Sequence, residues 1–161
     1  MRQLPLSVRL RDRARFDSYQ AGPNGAVLAQ LAALAEQPRA GPIWLCGPEG
    51  SGKTHLLQAL CARAGAGALY LPLPQLLEFG PAALAEWQGA RWLCLDDMAD
   101  VIGELEWERG LFNLYRDSEE RGASLLMAAR AAPPQLPFAL PDLASRCAAA
   151  QRLTLRALDE S

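Results

Sequence analysis

The sequence lacks the features that mark membrane-spanning, exported and DNA-reading proteins. It contains no apolar run of about 18 residues, which a membrane-spanning helix would need. Its first residues lack the apolar core of a signal peptide, so we expect a cytoplasmic protein without a membrane partner. The formal net charge is −2, so direct sequence-specific DNA binding is not expected, and the arginine-rich stretch 9–15 is interpreted as a solvated arm.

Cysteine is scarce too, and its spacing argues against a structural zinc site. The four cysteines, at 46, 61, 94 and 147, form no C-x-x-C pair. Cys46 and Cys94 lie within apolar runs that are typical of buried strands. We therefore interpret them as free thiols of the core, which suits a reducing compartment.

Strand and helix patterns alternate along the chain. Half of the 161 residues are apolar, enough for one globular domain with a core. Apolar runs predict strands at 42–46, 68–73, 91–97, 124–129 and 151–158. Helical patterns lie at 25–36, 53–64, 104–121 and 140–147. Because the strands are continuously apolar, we expect an α/β three-layer sandwich, in which a five-stranded parallel sheet carries helices on both faces.

Finer expectations concern single side chains. Asn24 stands directly before the first helix and is expected to cap it. The helix at 104–121 is expected to have one apolar face, formed by Leu105, Leu111, Phe112, Leu114 and Tyr115. The tryptophans are interpreted as packing groups; they are Trp44, Trp87, Trp92 and Trp107.

A glycine-rich loop follows the first predicted strand. Residues 47–54, GPEGSGKT, match G-x-x-x-x-G-K-[ST], with a strand before and a helix after. The glycines let backbone N–H groups point at phosphate oxygens, and the helix adds the positive end of its dipole. Lys53 is expected to reach the β- and γ-phosphates, and the Thr54 hydroxyl to bind Mg²⁺. The candidate nucleotide-binding residues here are Gly47, Pro48, Glu49, Gly50, Ser51, Gly52, Lys53, Thr54 and the neighbouring His55.

An acidic pair ends the third predicted strand. The run WLCLDD closes with Asp96 and Asp97, and in a parallel sheet this end lies at the same edge as the phosphate loop. Asp96 is expected to hold the Mg²⁺ through water, and Asp97 to orient an attacking water. A solvated acidic turn is the alternative interpretation of the pair.

Together these motifs resemble the DnaA-related initiator branch of the AAA+ proteins and, within it, the Hda family of regulators. The resemblance rests on GPEGSGKTHLLQAL, WLCLDD, ELEWERGLFNLYRDSEERGASLLMAA and LPDLASRC, and it covers almost the whole chain. It implies a P-loop NTPase fold of the AAA+ type in a bacterial protein that binds ADP or ATP. Residues 25–161 would be the nucleotide-binding base subdomain, and residues 1–24 an arm before it.

The resemblance also implies roles for residues outside the loop. Phe16, Tyr19 and Asn24 fall in the segment that lies against adenine in this family; simple packing of the arm is the alternative. Arg146, in LASRC, falls at the family's arginine finger, which stabilises γ-phosphate charge in a neighbouring subunit. An intrachain ion pair or a solvated arginine is the alternative there. The catalytic candidates are thus Asp97 and Arg146.

The start of the chain resembles the peptide by which the Hda regulators dock on the sliding clamp of DNA polymerase III. Gln3, Leu4 and Leu6, within QLPL, would place two leucines in an apolar groove while the glutamine fixes the register. A disordered start without a docking role is the alternative.

Three departures from the family pattern influence the functional hypothesis. The family's helical lid is expected to be absent, Ala128, Ala129 and Arg130 stand where a polar or acidic sensor is usual, and the acidic pair is Asp-Asp. These departures favour a regulator that docks on the clamp and promotes ATP hydrolysis by DnaA over a fast ATPase. The alternatives are a stand-alone ATPase of the helicase-loader type and a scaffold that binds only the clamp. A homodimer is compatible with these hypotheses.

Overall fold

The computed structural model describes residues 15–16, 19–37, 41–85, 87 and 89–158. Within these residues five strands form one parallel sheet: β1 (Ile43–Cys46), β2 (Ala68–Pro72), β3 (Trp92–Asp96), β4 (Ser124–Ala129) and β5 (Gln151–Thr154). Their spatial order is β2-β3-β4-β1-β5. The α-helices of the same residues are α1 (Gly25–Leu34), α2 (Lys53–Ala64), α3 (Leu73–Leu76), α4 (Leu105–Arg121) and α5 (Pro141–Ala149). Short 3₁₀ turns lie at Gly22–Asn24, Gly65–Gly67, Leu77–Phe79, Pro81–Ala85, Met98–Asp100 and Pro133–Gln135.

Helices cover both faces of the sheet. Along β1, Trp44 and Cys46 point into one core, and Ile43 and Leu45 point into the other, because successive strand residues face opposite ways. The first core packs against α3, α4 and α5, and the second against α1 and α2. The expected three-layer α/β sandwich with a five-stranded parallel sheet is confirmed.

The strand register gathers three strand ends at one edge. Cys46 of β1 pairs with Ala129 of β4, and Leu95 of β3 pairs with Met127 of β4. The loop after β1 and the last residue of β3, Asp96, therefore flank the end of β4. This edge is where the phosphate loop and the acidic pair meet, as expected for the carboxyl edge of a parallel sheet.

The last strand is shorter and more polar than predicted. It ends at Thr154 instead of residue 158, and Gln151, Arg152 and Thr154 are exposed. Among the described strands it pairs with β1 alone, and its buried residue is Leu153, so continuous apolarity is not needed. The Leu155 N–H still donates to the Cys46 carbonyl at 2.7 Å before the chain leaves the sheet.

The predicted capping role of Asn24 is wrong. Helix α1 begins at Gly25 without a side-chain cap, because the 3₁₀ turn before it runs directly into the helix. The Asn24 amide instead donates to the Tyr19 hydroxyl at 3.1 Å and to the Arg156 carbonyl at 3.0 Å. Its oxygen accepts from the Arg156 N–H at 2.8 Å. The Asn24 side chain therefore makes tertiary hydrogen bonds instead of the helix cap that the local pattern predicted.

The predicted apolar face of α4 needs one correction. Leu105 is 40% exposed, whereas Trp107 and Glu108 are buried beside Leu111 and Leu114. The helix begins at Leu105, so its first residue lies at the rim of the core and not beneath it. Polar Glu108 was not expected inside, and its partners are backbone N–H groups, described in the Discussion.

The tryptophans and cysteines lie where packing residues are expected. All four tryptophans are buried, and so are all four cysteines, which are free thiols. Burial raises the pKa of the Cys147 thiol to about 12, and it also raises that of Cys94. In the described part of the chain, no helix combines the length and apolarity that crossing a bilayer requires.

Candidate functional site: a phosphate loop beside an acidic strand end

The loop between β1 and α2 has a conformation that depends on glycine. Gly50 and Gly52 have φ angles of 85° and 89°, which side chains with a β-carbon rarely adopt. A β-carbon at Gly52 would lie 2.5 Å from Cε1 of Tyr19. Inside the loop, the buried Ser51 donates its hydroxyl to the Pro48 carbonyl at 2.7 Å. The loop is therefore held both by its own turn and by the arm.

The first turn of α2 makes this loop suitable for an anion. The helix begins at Lys53, so its first N–H groups have no acceptor within the helix and carry the positive end of the dipole. The Lys53 ammonium donates to the carbonyls of Gly47 at 2.6 Å and Pro48 at 3.2 Å. Burial lowers its pKa, while the nearby Asp97 and Asp96 carboxylates act in the opposite direction. Together the helix start and the Lys53 ammonium form a positively polarised cradle.

A cavity of about 370 Å³ opens at this cradle. It is lined by Glu49, Gly50, Gly52, Lys53, Thr54, His55 and Asp97. The structure thus brings the predicted loop residues and the second acidic residue to one opening. A larger cavity of about 620 Å³ lies between Pro81–Ala85 and α4, and it shares none of these lining residues.

Asp96 is the buried acceptor of the site. Its side chain is 1% exposed, and its Oδ2 accepts the Thr54 hydroxyl at 2.7 Å and the Tyr70 hydroxyl at 2.7 Å. Its Oδ1 is buried and has no partner, the one such side-chain atom among the described residues. An unpaired buried carboxylate oxygen is costly unless a ligand or water uses it.

The oxygen atoms of Thr54 and Asp96 fit a Mg²⁺ ion that is shared with phosphates. Mg²⁺ prefers oxygen ligands and commonly takes only one or two from the protein, with phosphate and water completing the shell. In the described residues, no three His, Cys, Asp or Glu side chains converge as a protein-only metal cage. This donor set would suit a metal that is shared with a phosphate ligand.

Asp97 lies at the mouth of the site in an unusual backbone conformation. Its φ of 59° makes it the one non-glycine residue with a positive φ among those described. Asp and Asn tolerate this left-handed region better than other residues with a β-carbon. The side chain is exposed overall, but partial burial, followed by the charges of Asp96 and Asp100, raises its pKa, against the opposing effect of Lys53. The turn aims the carboxylate toward the cavity that Lys53 lines.

The arm residues predicted for adenine pack against the loop. Tyr19 is buried and donates its hydroxyl to the Ser51 carbonyl at 2.8 Å, while Asn24 donates to that hydroxyl. Phe16 is buried beneath the Arg63 guanidinium, which lies 5.2 Å from its ring centre. The packing interpretation of these residues therefore describes their protein contacts, and contact with adenine stays a prediction.

His55 links the arm to the start of α2. Its Nε2 lies 2.9 Å from the carbonyl oxygen of Arg15, and its ring centre lies 5.7 Å from that of Tyr19. Both contacts hold the arm over the phosphate loop. The loop-flanking role of His55 stays a prediction.

Arg146 lies on α5, and its described contacts are with α4. Its guanidinium donates to Glu119 at 2.7 Å and lies over the rings of Phe112 and Tyr115, at 5.3 and 5.6 Å. The Tyr115 hydroxyl donates to the Arg146 carbonyl at 3.1 Å. The side chain is 36% exposed. The intrachain ion pair that the sequence left open as an alternative is thus present, and the trans-acting role stays a prediction.

Two groups of residues complete the comparison with the sequence. The clamp-docking candidates Gln3, Leu4 and Leu6 lie outside the described residues. Tyr70, by contrast, was not singled out, yet it contacts Asp96 directly. Its signal in the sequence was a hydroxyl within the otherwise apolar run ALYLPL, on the strand that neighbours β3.

Three solved structures that superpose on this chain are two DnaA proteins and a helicase loader. Domain III of DnaA from Thermotoga maritima superposes with a TM-score of 0.80 at 21% identity, over 91% of this chain and 68% of that one. AMPPCP-bound DnaA from Aquifex aeolicus gives 0.76 at 20% identity, over 91% and 51%. The DnaC helicase loader gives 0.64 at 16% identity, over 89% and 97%. The chain has the AAA+ fold of DnaA.

The likeness has definite limits. No family model matches the sequence. The chain spans about half the length of the replication initiator DnaA bound to AMPPCP and of a DNA replication initiation factor, 50% and 51%. At such identities the superposition establishes the AAA+ fold, in which the loop after β1 and the end of β3 occupy one sheet edge.

Proposed function

We propose that this chain is a nucleotide-dependent regulator of replication initiation of the Hda type. It would bind ADP or ATP with Mg²⁺, dock on the sliding clamp, and promote hydrolysis of the ATP held by DnaA. The DnaA-like AAA+ fold supports a place in replication, and the motifs LFNLY and LPDLASRC support the Hda assignment.

The nucleotide part of the proposal rests on the cradle at the start of α2. The loop residues from Gly47 to Thr54 would hold the phosphates through backbone N–H groups and the Lys53 ammonium. Thr54 and Asp96 would hold the Mg²⁺, whose charge offsets that of the phosphates. The Aquifex aeolicus DnaA of the same fold carries AMPPCP, an observation that favours an adenine nucleotide here.

The arm would form the wall of the adenine site. Phe16, Tyr19 and Asn24 are buried, and Tyr19 is bonded to the loop through Ser51. We propose that this packing places the arm backbone beside the base. The same contacts keep the loop in the shape that binds phosphate, because Tyr19 fills the space next to Gly52.

The observation that carries the regulatory proposal is the position of Arg146. Its partner Glu119 is 51% exposed, and exposed ion pairs contribute only about 0–1 kcal/mol. To enter another subunit's nucleotide site, the guanidinium would also leave the rings of Phe112 and Tyr115, which contribute about 0.5–1 kcal/mol each at exposed sites. There it would stabilise charge on the γ-phosphate, the role of a finger supplied in trans. The attacking water and the metal of that reaction would belong to DnaA.

Docking on the clamp is proposed from the sequence alone. Gln3, Leu4 and Leu6 would form the peptide that enters the apolar groove of the clamp. These residues belong to the first part of the arm, whose later residues pack on the phosphate loop. Docking would therefore tether the nucleotide site and Arg146 to clamp-loaded DNA.

The test measures hydrolysis of ATP-loaded DnaA in the presence of this protein and DNA-loaded clamp. Arg146→Ala is expected to lower the stimulation by about 10³-fold, or to background, because a trans-acting arginine contributes that much. Arg109→Ala is the matched control, since Arg109 is an exposed arginine of α4 with only a long ion pair, 3.7 Å, to Glu106. Glu119→Ala should keep the stimulation, because it frees the guanidinium.

Unchanged stimulation by a folded Arg146→Ala protein would remove the finger assignment. Loss of stimulation when residues 1–8 are deleted would support clamp docking by QLPL. The second candidate is a stand-alone ATPase, favoured by the presence of Lys53, Thr54, Asp96 and Asp97 in one site of a fold shared with the DnaC helicase loader. ATP turnover that rises with protein concentration and vanishes in Asp97→Ala would favour that candidate.

A further inference from the structure

Tyr70 is a buried hydroxyl next to the metal-site carboxylate. It lies on β2, beside Cys94 of β3 in the parallel register, two residues before the position that pairs with Asp96. Only 9% of the residue is exposed. Its hydroxyl donates to Asp96 Oδ2 at 2.7 Å.

The geometry of the two donors on Asp96 is asymmetric. Both the Tyr70 and the Thr54 hydroxyl bond to Oδ2, one from β2 and one from the first turn of α2. Oδ1 is left buried and unpaired. Two donors from two different elements hold Oδ2, while Oδ1 keeps its capacity to accept a hydrogen bond or to bind a cation.

We propose that Tyr70 is a positioning residue that orients Asp96, so that Oδ1 faces the divalent cation of the phosphate site. This role rests on the proposed binding of nucleotide and Mg²⁺. It adds to that proposal the residue that holds the metal-binding carboxylate in place. Tyr70 itself touches neither the cation nor the phosphates; it acts through Asp96.

The direction in which Mg²⁺ affinity changes when the Tyr70 hydroxyl is removed separates two roles: orienting the carboxylate and reducing its negative charge. A hydroxyl that only withdrew electron density from Asp96 would weaken the attraction for Mg²⁺, and its removal would tighten binding. A hydroxyl that orients the carboxylate does the opposite, because a carboxylate free to rotate presents Oδ1 less often. Residues that orient metal ligands in this way commonly change metal affinity by about 10–100-fold when they are replaced.

The experiment uses the full chain and a fluorescent ADP analogue. Nucleotide binding is titrated with Mg²⁺ in the wild type, in Tyr70→Phe, and in Tyr115→Phe, a matched loss of a buried tyrosine hydroxyl that bonds to a carbonyl of α5. Tyr70→Phe is expected to need about tenfold more Mg²⁺ or above, with affinity in EDTA unchanged. Tyr115→Phe is expected to match the wild type. In the Asp96→Asn background, Tyr70→Phe should have no further effect.

The outcomes distinguish this inference from the function beneath it. A folded Tyr70→Phe protein with a Mg²⁺ midpoint within twofold of the wild type, or with a lower one, would overturn the positioning role while leaving the nucleotide site intact. A wild type that binds no adenine nucleotide would overturn both. If Tyr70→Phe does not fold, ¹⁹F spectra of fluorotyrosine-labelled protein, assigned with Tyr19→Phe and Tyr115→Phe, replace it. A Tyr70 signal unmoved by Mg²⁺ in the nucleotide complex would then overturn the inference.

Discussion

Asp96 and Glu108 are both carboxylates with almost no exposure to solvent, 1% and 0%, yet their partners differ in kind. Glu108, on α4, accepts the backbone N–H groups of Gly103 at 2.6 Å, Ala139 at 2.8 Å and Leu140 at 2.7 Å. These bonds use both of its oxygens. Among the described residues, Asp96 accepts from two side-chain hydroxyls, both on one oxygen, and its other oxygen has no partner.

The difference separates a structural carboxylate from a ligand. The donors of Glu108 belong to the chain after β3 and to the segment before α5, so Glu108 joins these two segments to α4 through groups that cannot rotate away. Asp96 is held by two hydroxyls, and one of its oxygens can still bind a ligand. Burial alone does not distinguish the two residues, but the completeness of their hydrogen bonding does.

The largest expected effect comes from removing Glu108. Glu108→Ala leaves three backbone N–H groups without their acceptor, at about 1–3 kcal/mol each, so the free energy of unfolding should fall by about 3 kcal/mol or more. Urea denaturation measures this, with Glu106→Ala as the control, since Glu106 is a 77% exposed residue of the same helix. A fall of less than about 1 kcal/mol would contradict the structural role.

At Asp96 we expect the opposite pattern, a small loss of stability with a large loss of Mg²⁺ binding. Asn keeps an oxygen that can accept the hydroxyls of Thr54 and Tyr70, so Asp96→Asn should change the free energy of unfolding by about 1 kcal/mol or less. The substitution removes the charge that attracts Mg²⁺. The Mg²⁺ concentration at the midpoint of nucleotide binding should therefore rise by about 10–100-fold. A variant that loses stability but keeps the Mg²⁺ midpoint would place Asp96 in the same class as Glu108.

Asp97 should show the smallest effect, and it depends on pH. Its raised pKa means that the folded chain holds a proton that the unfolded chain has lost, so its contribution to stability falls as pH rises from its ordinary 3.8 through the raised value. Asp97→Asn should remove this fall while keeping the left-handed turn. Asp97→Ala should be about 1 kcal/mol less stable than the Asn variant, because alanine resists that conformation. Thermal unfolding between pH 3 and 8 measures both, and identical pH profiles for wild type and Asn variant would refute the charge argument.

The sequence predicted the parts of this molecule that local patterns determine. The loop motif, the acidic strand end and the alternation of strands and helices were sufficient for the sheet and for the phosphate edge, because those patterns repeat within a few residues. Glu108 was unpredictable, since its acceptors serve N–H groups 31 and 32 residues further along the chain. Asn24 failed as a cap for the same reason: its partner, Arg156, is 132 residues away.

The contact between Tyr70 and Asp96 was missed because it depends on which strands are neighbours in the sheet. The strands were both predicted, but the order β2-β3-β4-β1-β5 was not, and only that order sets Tyr70 next to the end of β3. A polar hydroxyl in an apolar strand is therefore informative once the neighbouring strand is known.

The amide of Asn24 acts as a surrogate peptide group. It offers an N–H and a C=O to Arg156, the same pair of groups that a neighbouring strand would offer, and both backbone groups of Arg156 are occupied by it. Arg156 follows the edge strand β5, where exposed backbone groups can recruit a strand from another molecule. One side chain thus occupies both backbone groups of the residue just beyond the edge strand, so these two groups are not free to pair with a strand of another molecule.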